Sequence, residues 1–556
     1  MLWAAYGDAL GFISELADPV RVERRIGTPW VDKLVAWKRR VGGRLGVDAL
    51  LPEGTYSDDT QLRLATCRAI RGDGVFDMEV LAKVELPVWL SYALGAGRGT
   101  TEAATALSRP SNAWMGNFFS NTRAQYINGG GNGAAMRIQP HVWATPLSRS
   151  YEGVLLDVLC NAIITHGHPR AWVGAAFHAL SLRTAMKSGT PPGPDEWSTI
   201  LERLDALPQI LRSHDDLNSL WAPLWEQHNE CKLDHAIRAV LGECKGHVER
   251  IGKIRGTPQE HYEVAARAVG AHDPATRGAG TATSILASLA SWLFRENPRH
   301  GLQCVVNLFG TDTDTIATMA GAVMGVNMDL DPPDQVQDAR YLCVEADRLA
   351  TIAQGRKAHT LRYPDLLHWQ PPATRLDAVG SHDGALVVAG FGPARPVGEP
   401  IMRKDTCWQW MELQFGQRVF IKRRRELSPL DRSALPVGLT SEQPHPQHPG
   451  GQQDLFTNYE HQSERPRRSA QLSDHVAAEQ AHEISIPEIT IPEISIDEAY
   501  EKAYRNGFDA HTIGALLRQL SEQRNGVDRA VAFAALVARA INEGSQPARK
   551  REAGSA

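Results

Sequence analysis

The sequence predicts an all-α fold over residues 1–360, a compact multi-helix domain. A strand-containing extension (361–427), a disordered linker (428–496) and a helical C-terminal module (497–545) follow it. Three observations lead there. Apolar residues recur at helical spacing over 61–70, 153–164, 171–186, 283–294 and 316–326, the signature of helices with a buried face. β-Branched alternating runs are scarce before Leu361 and gather after it. Beyond Ser428 the chain turns polar and rich in Pro, Gln, His, Ser and Glu, too poor in apolar surface to offset the entropy of ordering.

Within the first block the connections are rich in Gly, Pro and Asn, and 187–197, with Thr190-Pro191-Pro192-Gly193-Pro194 inside it, reads as a surface loop. In the extension, 385–389 and 407–421 are strand-like, and Phe415-Gly416-Gln417-Arg418 is placed to turn a hairpin. The linker ends in a repeat, Ile484–Glu488, Ile489–Glu493 and Ile494–Glu498, whose Pro487 and Pro492 argue against a helix or central strand. It reads as an extended spacer, or as a peptide that docks on a partner. In the tail, Asp497 is expected to cap a helix through Tyr504, with apolar-striped segments at 513–520 and 527–541.

Composition narrows the class. The 556 residues are 42% hydrophobic and 22% charged, an ordinary globular balance. The net charge of −5 argues against a dedicated nucleic-acid binder. Lys422-Arg423-Arg424-Arg425 reads as a solvated basic face. No run approaches the ~18 apolar residues of a membrane span. The seven cysteines form no C-x-x-C pair, so neither a disulfide framework nor structural zinc is indicated. The first residues lack a basic leader and soon meet Asp8 and Glu15, so a cytoplasmic protein is expected.

Five clusters carry chemistry. Tyr56-Ser57-Asp58-Asp59-Thr60 sets two carboxylates and two hydroxyls at a helix start. Such hard oxygen donors suit magnesium, manganese or calcium, although a plain cap uses the same residues. Gly310-Thr311-Asp312-Thr313-Asp314-Thr315 repeats the device 254 residues later (312 − 58). Behind it Ala317, Gly321 and Gly325 make a smooth helix face against which another backbone can pack closely. If the fold joins the two acidic starts, they repel unless a cation lies between them. Asn128-Gly129-Gly130-Gly131-Asn132-Gly133 offers backbone N–H groups to a diphosphate, or is merely a flexible turn. Thr165-His166-Gly167-His168-Pro169 suits a helix-end turn or a ligand contact better than zinc. Gly7-Asp8-Ala9-Leu10-Gly11, with Glu15 after it, places carboxylates in an apolar helix, and Asp8 reads as local capping.

Together and in this order, GDALG, YSDDT, GNGAAMR, THGHP and DTDTIATMAGAVMG resemble the ADP-ribosylglycohydrolase family, the group that includes the dinitrogenase-reductase-activating glycohydrolase. The resemblance covers about residues 1–350. It implies an all-α domain with two divalent cations, Mg2+ or Mn2+, in a cleft. Ser57, Asp58 and Asp59 would form one ligand set, and Asp312, Asp314 and Thr315 the other. Gly129, Gly130, Gly131 and Asn132 would hold the ADP-ribose diphosphate, and His166 would contact the ligand. Glu15, Asp58 and Asp312 are the implied catalytic carboxylates. The implied activity is hydrolysis of ADP-ribose from protein side chains, arginine N-glycosides or serine O-glycosides. Two positions depart from the family pattern. Thr311 stands where a glycine is usual, a costly exchange if that residue takes a positive φ. Asn128 and Gly129 stand where some members carry an aspartate.

The rivals are a module that binds ADP-ribose or blocks a transferase without turnover, and a two-metal hydrolase of another nucleotide or glycoside. The extension is expected to set partner or location rather than chemistry, and residues 1–360 to remain active alone.

Overall fold

The computed structural model describes residues 1–43, 46–439, 494–523 and 526–542. The chain forms two compact units, 1–451 and 452–556. The first opens with α1 (Leu2–Ser14). Helices then stand where apolar periodicity put them: α2 (Asp58–Ala69), α3 (Tyr151–Ile163), α4 (Pro169–Ser188), α5 (Gly280–Leu293) and α6 (Thr313–Met324), followed by α7 (Ala339–Ala353). Ser57 caps α2, its Oγ accepting the Asp59 N–H at 3.1 Å. His168 caps α4, its Nδ1 accepting the Arg170 N–H at 3.1 Å, with Pro169 at the first helical position. The expected loop at 187–197 is shorter than its composition suggests. α4 runs to Ser188, and a further helix starts at Pro194, where Glu196 accepts the Gly193 N–H at 2.9 Å.

α1 and α6 pack backbone to backbone. A Cβ on Gly11 would lie 2.4 Å from Asp314 Cα, and one on Gly321 would lie 2.3 Å from the Trp3 carbonyl oxygen. Only hydrogen fits at either point, so the small-residue face of α6 has α1 as its partner. Thr318 Oγ1 donates to the Ala4 carbonyl at 2.8 Å, and Ser14 Oγ to Thr313 Oγ1 at 3.2 Å.

An antiparallel hairpin, β1 (Trp37–Val41) and β2 (Val47–Leu51), lies inside the otherwise helical domain. It was not expected. Its inward face is Trp37, Arg39 and Val41, and the charged middle member hides the alternation. Arg39 is accommodated because its guanidinium sits 4.2 Å from the Phe12 ring centroid.

The extension is a five-stranded antiparallel meander in sequence order: β3 (Val379–His382), β4 (Ala385–Val388), β5 (Gly392–Met402), β6 (Thr406–Leu413) and β7 (Arg418–Arg424). β4, β6, β7 and the turn at Gly416 match the expectation. β5 does not, because Pro393, Pro396 and Pro400 mask it. β4 pairs only with its first two residues, so Pro396 and Pro400 fall where β5 has a neighbour on one side alone. Lys422 to Arg424 lie in β7, with Arg424 paired to Asp377 at 2.8 Å.

The expected linker boundary at 428 is too early. Residues 428–439 pack on the sheet: the Leu430 N–H donates to the Ser381 carbonyl at 2.9 Å and the Gly390 N–H to the Ala434 carbonyl at 2.8 Å. One core includes Leu10, Leu62 and Ile316 from the helices and Trp369, Phe391, Met411 and Val419 from the extension. Residues 440–493, with the first two repeats, lie outside the described residues.

The second unit holds α8 (Ile496–Arg505), α9 (Ala510–Ser521) and α10 (Gly526–Asn542). Ser495, not Asp497, caps α8, in a reciprocal box with Glu498. Ile494, from the third repeat, is buried with Ala499, Phe508, Leu520 and Phe533. Among the described residues no helix is long and apolar enough to cross a membrane.

Candidate active site

The site forms where α1, α2 and α6 meet. Asp8 is a cap reaching across the fold rather than a local one. Its Oδ1 accepts the Ser57 N–H at 2.9 Å, and its Oδ2 accepts the Thr60 N–H at 2.8 Å and the Thr60 hydroxyl at 2.6 Å. This fixes the start of α2 on α1. The α1–α6 contact fixes the start of α6 on the same helix. The two acidic motifs therefore meet, and Thr315 Oγ1 donates to Asp59 Oδ1 at 3.3 Å across them.

Asp58, Asp59 and Asp314 are buried, while Asp312 and Glu15 are half-buried. Burial raises the Asp58 carboxyl well above the usual range, and the charges of Glu15 and Asp8 raise it further. Burial, then Asp8 and Asp58, does the same to Asp59. Asp314 is raised by burial, then by Glu15 and Asp59. The α2 and α6 N-termini, whose dipoles favour negative charge, offset part of this repulsion.

Glu15 pairs with Arg39 of the hairpin, Oε2 to Nη2, at 2.8 Å. Burial still raises its carboxyl, Arg39 opposing and Asp312 adding to the effect. Arg39 was missed from sequence because nothing local marks a hairpin arginine as facing Glu15.

The glycine loop joins the second motif through Asn132, whose Nδ2 donates to Asp312 Oδ2 at 3.0 Å. The expected cradle is partly used up by the protein itself. The N–H groups of Gly129, Gly130 and Asn132 donate to the carbonyls of Tyr126, Asn128 and Gly278 at 2.9 Å each. Gly131 bridges to Ala279. His166 lies against this loop: a Cβ on Gly133 would be 3.1 Å from its Cε1. Thr165 Oγ1 is 2.7 Å from His166 Nδ1 and already accepts from Arg137 at 2.8 Å. That favours Thr165 as donor to Nδ1 and leaves the ring hydrogen on Nε2. Burial, with Arg137 adding, lowers the His166 pKa to about 3, so the ring is neutral.

Thr311 is not strained. The positive φ of this turn belongs to Gly310, at +86°, and Thr311 Oγ1 donates to the Leu308 carbonyl at 2.8 Å.

The donor set suits a hard divalent cation. Asp59 Oδ2 is buried without a hydrogen-bond partner, amid carboxylates that repel one another. Among the described residues no three His, Cys, Asp or Glu side chains form a ready cage. The carboxylates turn instead onto nearby donors, Asp312 on Asn132 and Asp314 Oδ1 on the Thr315 N–H. The Ser57 and Thr315 hydroxyls add two further oxygens.

Fold and site together define a helical domain with paired acidic helix N-termini facing a glycine-rich loop. Residues 1–354 match the family model described as ADP-ribosylglycohydrolase, and the chain belongs to that family of glycosidic-bond hydrolases. It is similar to ADP-ribosylhydrolase ARH3 of Danio rerio, 23% identical over 289 residues that span 50% of this chain and 70% of that protein. A solved structure described as an ADP-ribosylglycohydrolase-related protein complex is 19% identical, covering 63% of this chain and 95% of its own, with a TM-score of 0.36.

Proposed function

We propose that this chain removes ADP-ribose from modified protein side chains, cleaving the N-glycosidic bond to arginine or the O-glycosidic bond to serine. The observation that carries the reading is the meeting of the two acidic helix starts, joined by the Thr315–Asp59 contact and faced by Asn132. Ser57, Asp58 and Asp59 on one side, and Asp312, Asp314 and Thr315 on the other, would hold two divalent cations, Mg2+ or Mn2+. When bound, such ions supply polarisation of a water and of ribose hydroxyls.

The chain's own residues do the rest. The glycine loop, with the Gly129, Gly130 and Asn132 N–H groups held by the protein's own carbonyls, would set Gly131 and the Asn132 side chain against the diphosphate and so place the ribose, with neutral His166 donating from Nε2. Glu15, with Oε2 held by Arg39, keeps Oε1 to accept the proton of the attacking water. Asp58 and Asp312 are the other carboxylates able to serve. The water oxygen joins C1″ as the bond to nitrogen or oxygen breaks, and a proton goes to that leaving atom.

The test is ADP-ribose release from arginine- and serine-modified proteins, with and without Mg2+ or Mn2+, beside Asp312→Ala. We expect metal-dependent release from one linkage, falling at least about 100-fold in the variant. Tight ADP-ribose binding without release from either substrate would instead establish the non-catalytic module, a reading favoured by the neutralisation of Glu15 by Arg39.

A further inference from the structure

The sheet that follows the family domain reaches the back of the first carboxylate motif. Its β6–β7 turn inserts Gln417, fully buried, between α2 and the residues before it. Gln417 Oε1 accepts from Arg68 Nη1 of α2 at 2.7 Å, and its Nε2 donates to the Tyr56 hydroxyl at 3.4 Å. The next residue completes the grip. Arg418 donates to Asp338 from its backbone N–H at 2.9 Å and from Nε at 2.8 Å, while the Tyr56 hydroxyl donates to the same carboxylate at 2.7 Å. The Gln337 N–H holds the Gly54 carbonyl at 2.9 Å, and Gln337 Nε2 holds the Arg418 carbonyl at 2.9 Å. Tyr56 directly precedes Ser57, Asp58 and Asp59. The segment 54–57 is thus held directly by Gln337 and Asp338, within the family-matched residues 1–354, and from outside them by Gln417 on Tyr56 and by Arg418 acting through Asp338.

We propose that the extension is a built-in clamp on the first acidic motif, with Gln417 and Arg418 as positioning residues acting through Tyr56 and Asp338. Its link to cation binding rests on the proposed two-metal reading, while its mechanical part does not. Buried hydrogen bonds to a charged group are strong and directional, so they set the register of the segment they hold. Removing Arg418 leaves Asp338 with fewer donors and lets Tyr56 turn, and the Ser57–Asp59 oxygens move with it.

Two measurements on the full chain decide. Hydrogen exchange by mass spectrometry is read for a peptide covering 54–62 in Arg418→Ala, Gln417→Ala and Tyr56→Phe, with Arg395→Ala as a control on the exposed part of the same sheet. Mn2+ affinity is measured on the same samples. We expect exchange in that peptide to speed up about tenfold in Arg418→Ala, with other regions unchanged. Mn2+ affinity should fall in parallel, and Arg395→Ala should match the parent on both. Folded Arg418→Ala and Tyr56→Phe with parental exchange at 54–62 would overturn the clamp. Faster exchange in Arg418→Ala, when the parent protein itself binds no Mn2+, would uphold the clamp and overturn the metal reading instead. If Gln417→Ala fails to fold, Tyr56→Phe, which keeps the ring, carries the comparison.

Discussion

Asp8 holds three donors of α2 from a position 49 residues upstream of Ser57. Asp8→Ala strips a buried helix start of its acceptor and should destabilise the protein by about 3 kcal/mol, read from the urea midpoint. Asp8→Asn keeps an acceptor and should cost less. The sequence showed this aspartate and its capping chemistry, but reading neighbours alone could not show that the capped helix was α2. The neighbouring carboxyls carry a pH prediction. Asp58, Asp59 and Asp314 all have folded pKa values raised first by burial. The native state therefore holds more protons than the unfolded chain between the ordinary carboxylate value and the raised ones. Stability should fall as pH rises through that interval. Thermal midpoints of metal-stripped protein should drop from pH 5 towards pH 8, and Mn2+ should restore most at the upper end. His166, with a pKa of about 3, should contribute no inflection near pH 6.5 to ligand binding.

The pairing of α1 and α6 makes the site an outcome of backbone contact. Gly321→Ala places a methyl 2.3 Å from a carbonyl oxygen, so one helix must shift. Overpacking of this kind costs roughly 1–3 kcal/mol. Because the shift also separates Asp314 from α1, Mn2+ affinity should weaken in the folded variant, as measured by titration. The spacing of Ala317, Gly321 and Gly325 made a close-packing face legible, since small residues at one helical period have few other uses. Its partner was illegible, because nothing in the sequence pairs Gly7 and Gly11 with a helix that starts at Thr313. The β1–β2 hairpin was hidden for another reason. Strands of five residues, one with an inward arginine, carry too little periodicity, and the ring that shelters Arg39 comes from α1.

At the scale of the whole chain, the first unit needs its sheet. Arg68 and Glu85 form a bidentate pair, with side chains 1% and 0% exposed. Gln417 and Tyr363 satisfy their remaining atoms, Tyr363 donating to Glu85 at 2.6 Å. Trp369 donates to the Lys83 carbonyl at 2.7 Å. Ending the chain at 360 keeps this ion pair while removing Gln417 and Trp369, and opens the core that the sheet covers. Leaving a buried polar group without its hydrogen-bond partner costs about 1–3 kcal/mol each. Residues 1–360, which the sequence alone suggested would suffice, should therefore be unstable. Residues 1–439 should melt cooperatively and retain any activity of the full chain, as circular dichroism and the release assay would show. The boundary was misread because a mixed polar and apolar composition at 428–439 looks the same whether or not a sheet lies beside it.

The distance between the helices that share Ser14 and Thr313, 299 residues, also orders events on the ribosome. At roughly 5–20 residues per second, α1 waits about 15–60 s after its own synthesis before α6 emerges. During that time the face of α1 that carries Gly7 and Gly11 lacks its partner helix, and the carboxylates of α2 have no opposing set. The nascent chain thus carries α1 without its packing partner and half a site. Both become complete only when the last part of the helical domain leaves the exit tunnel.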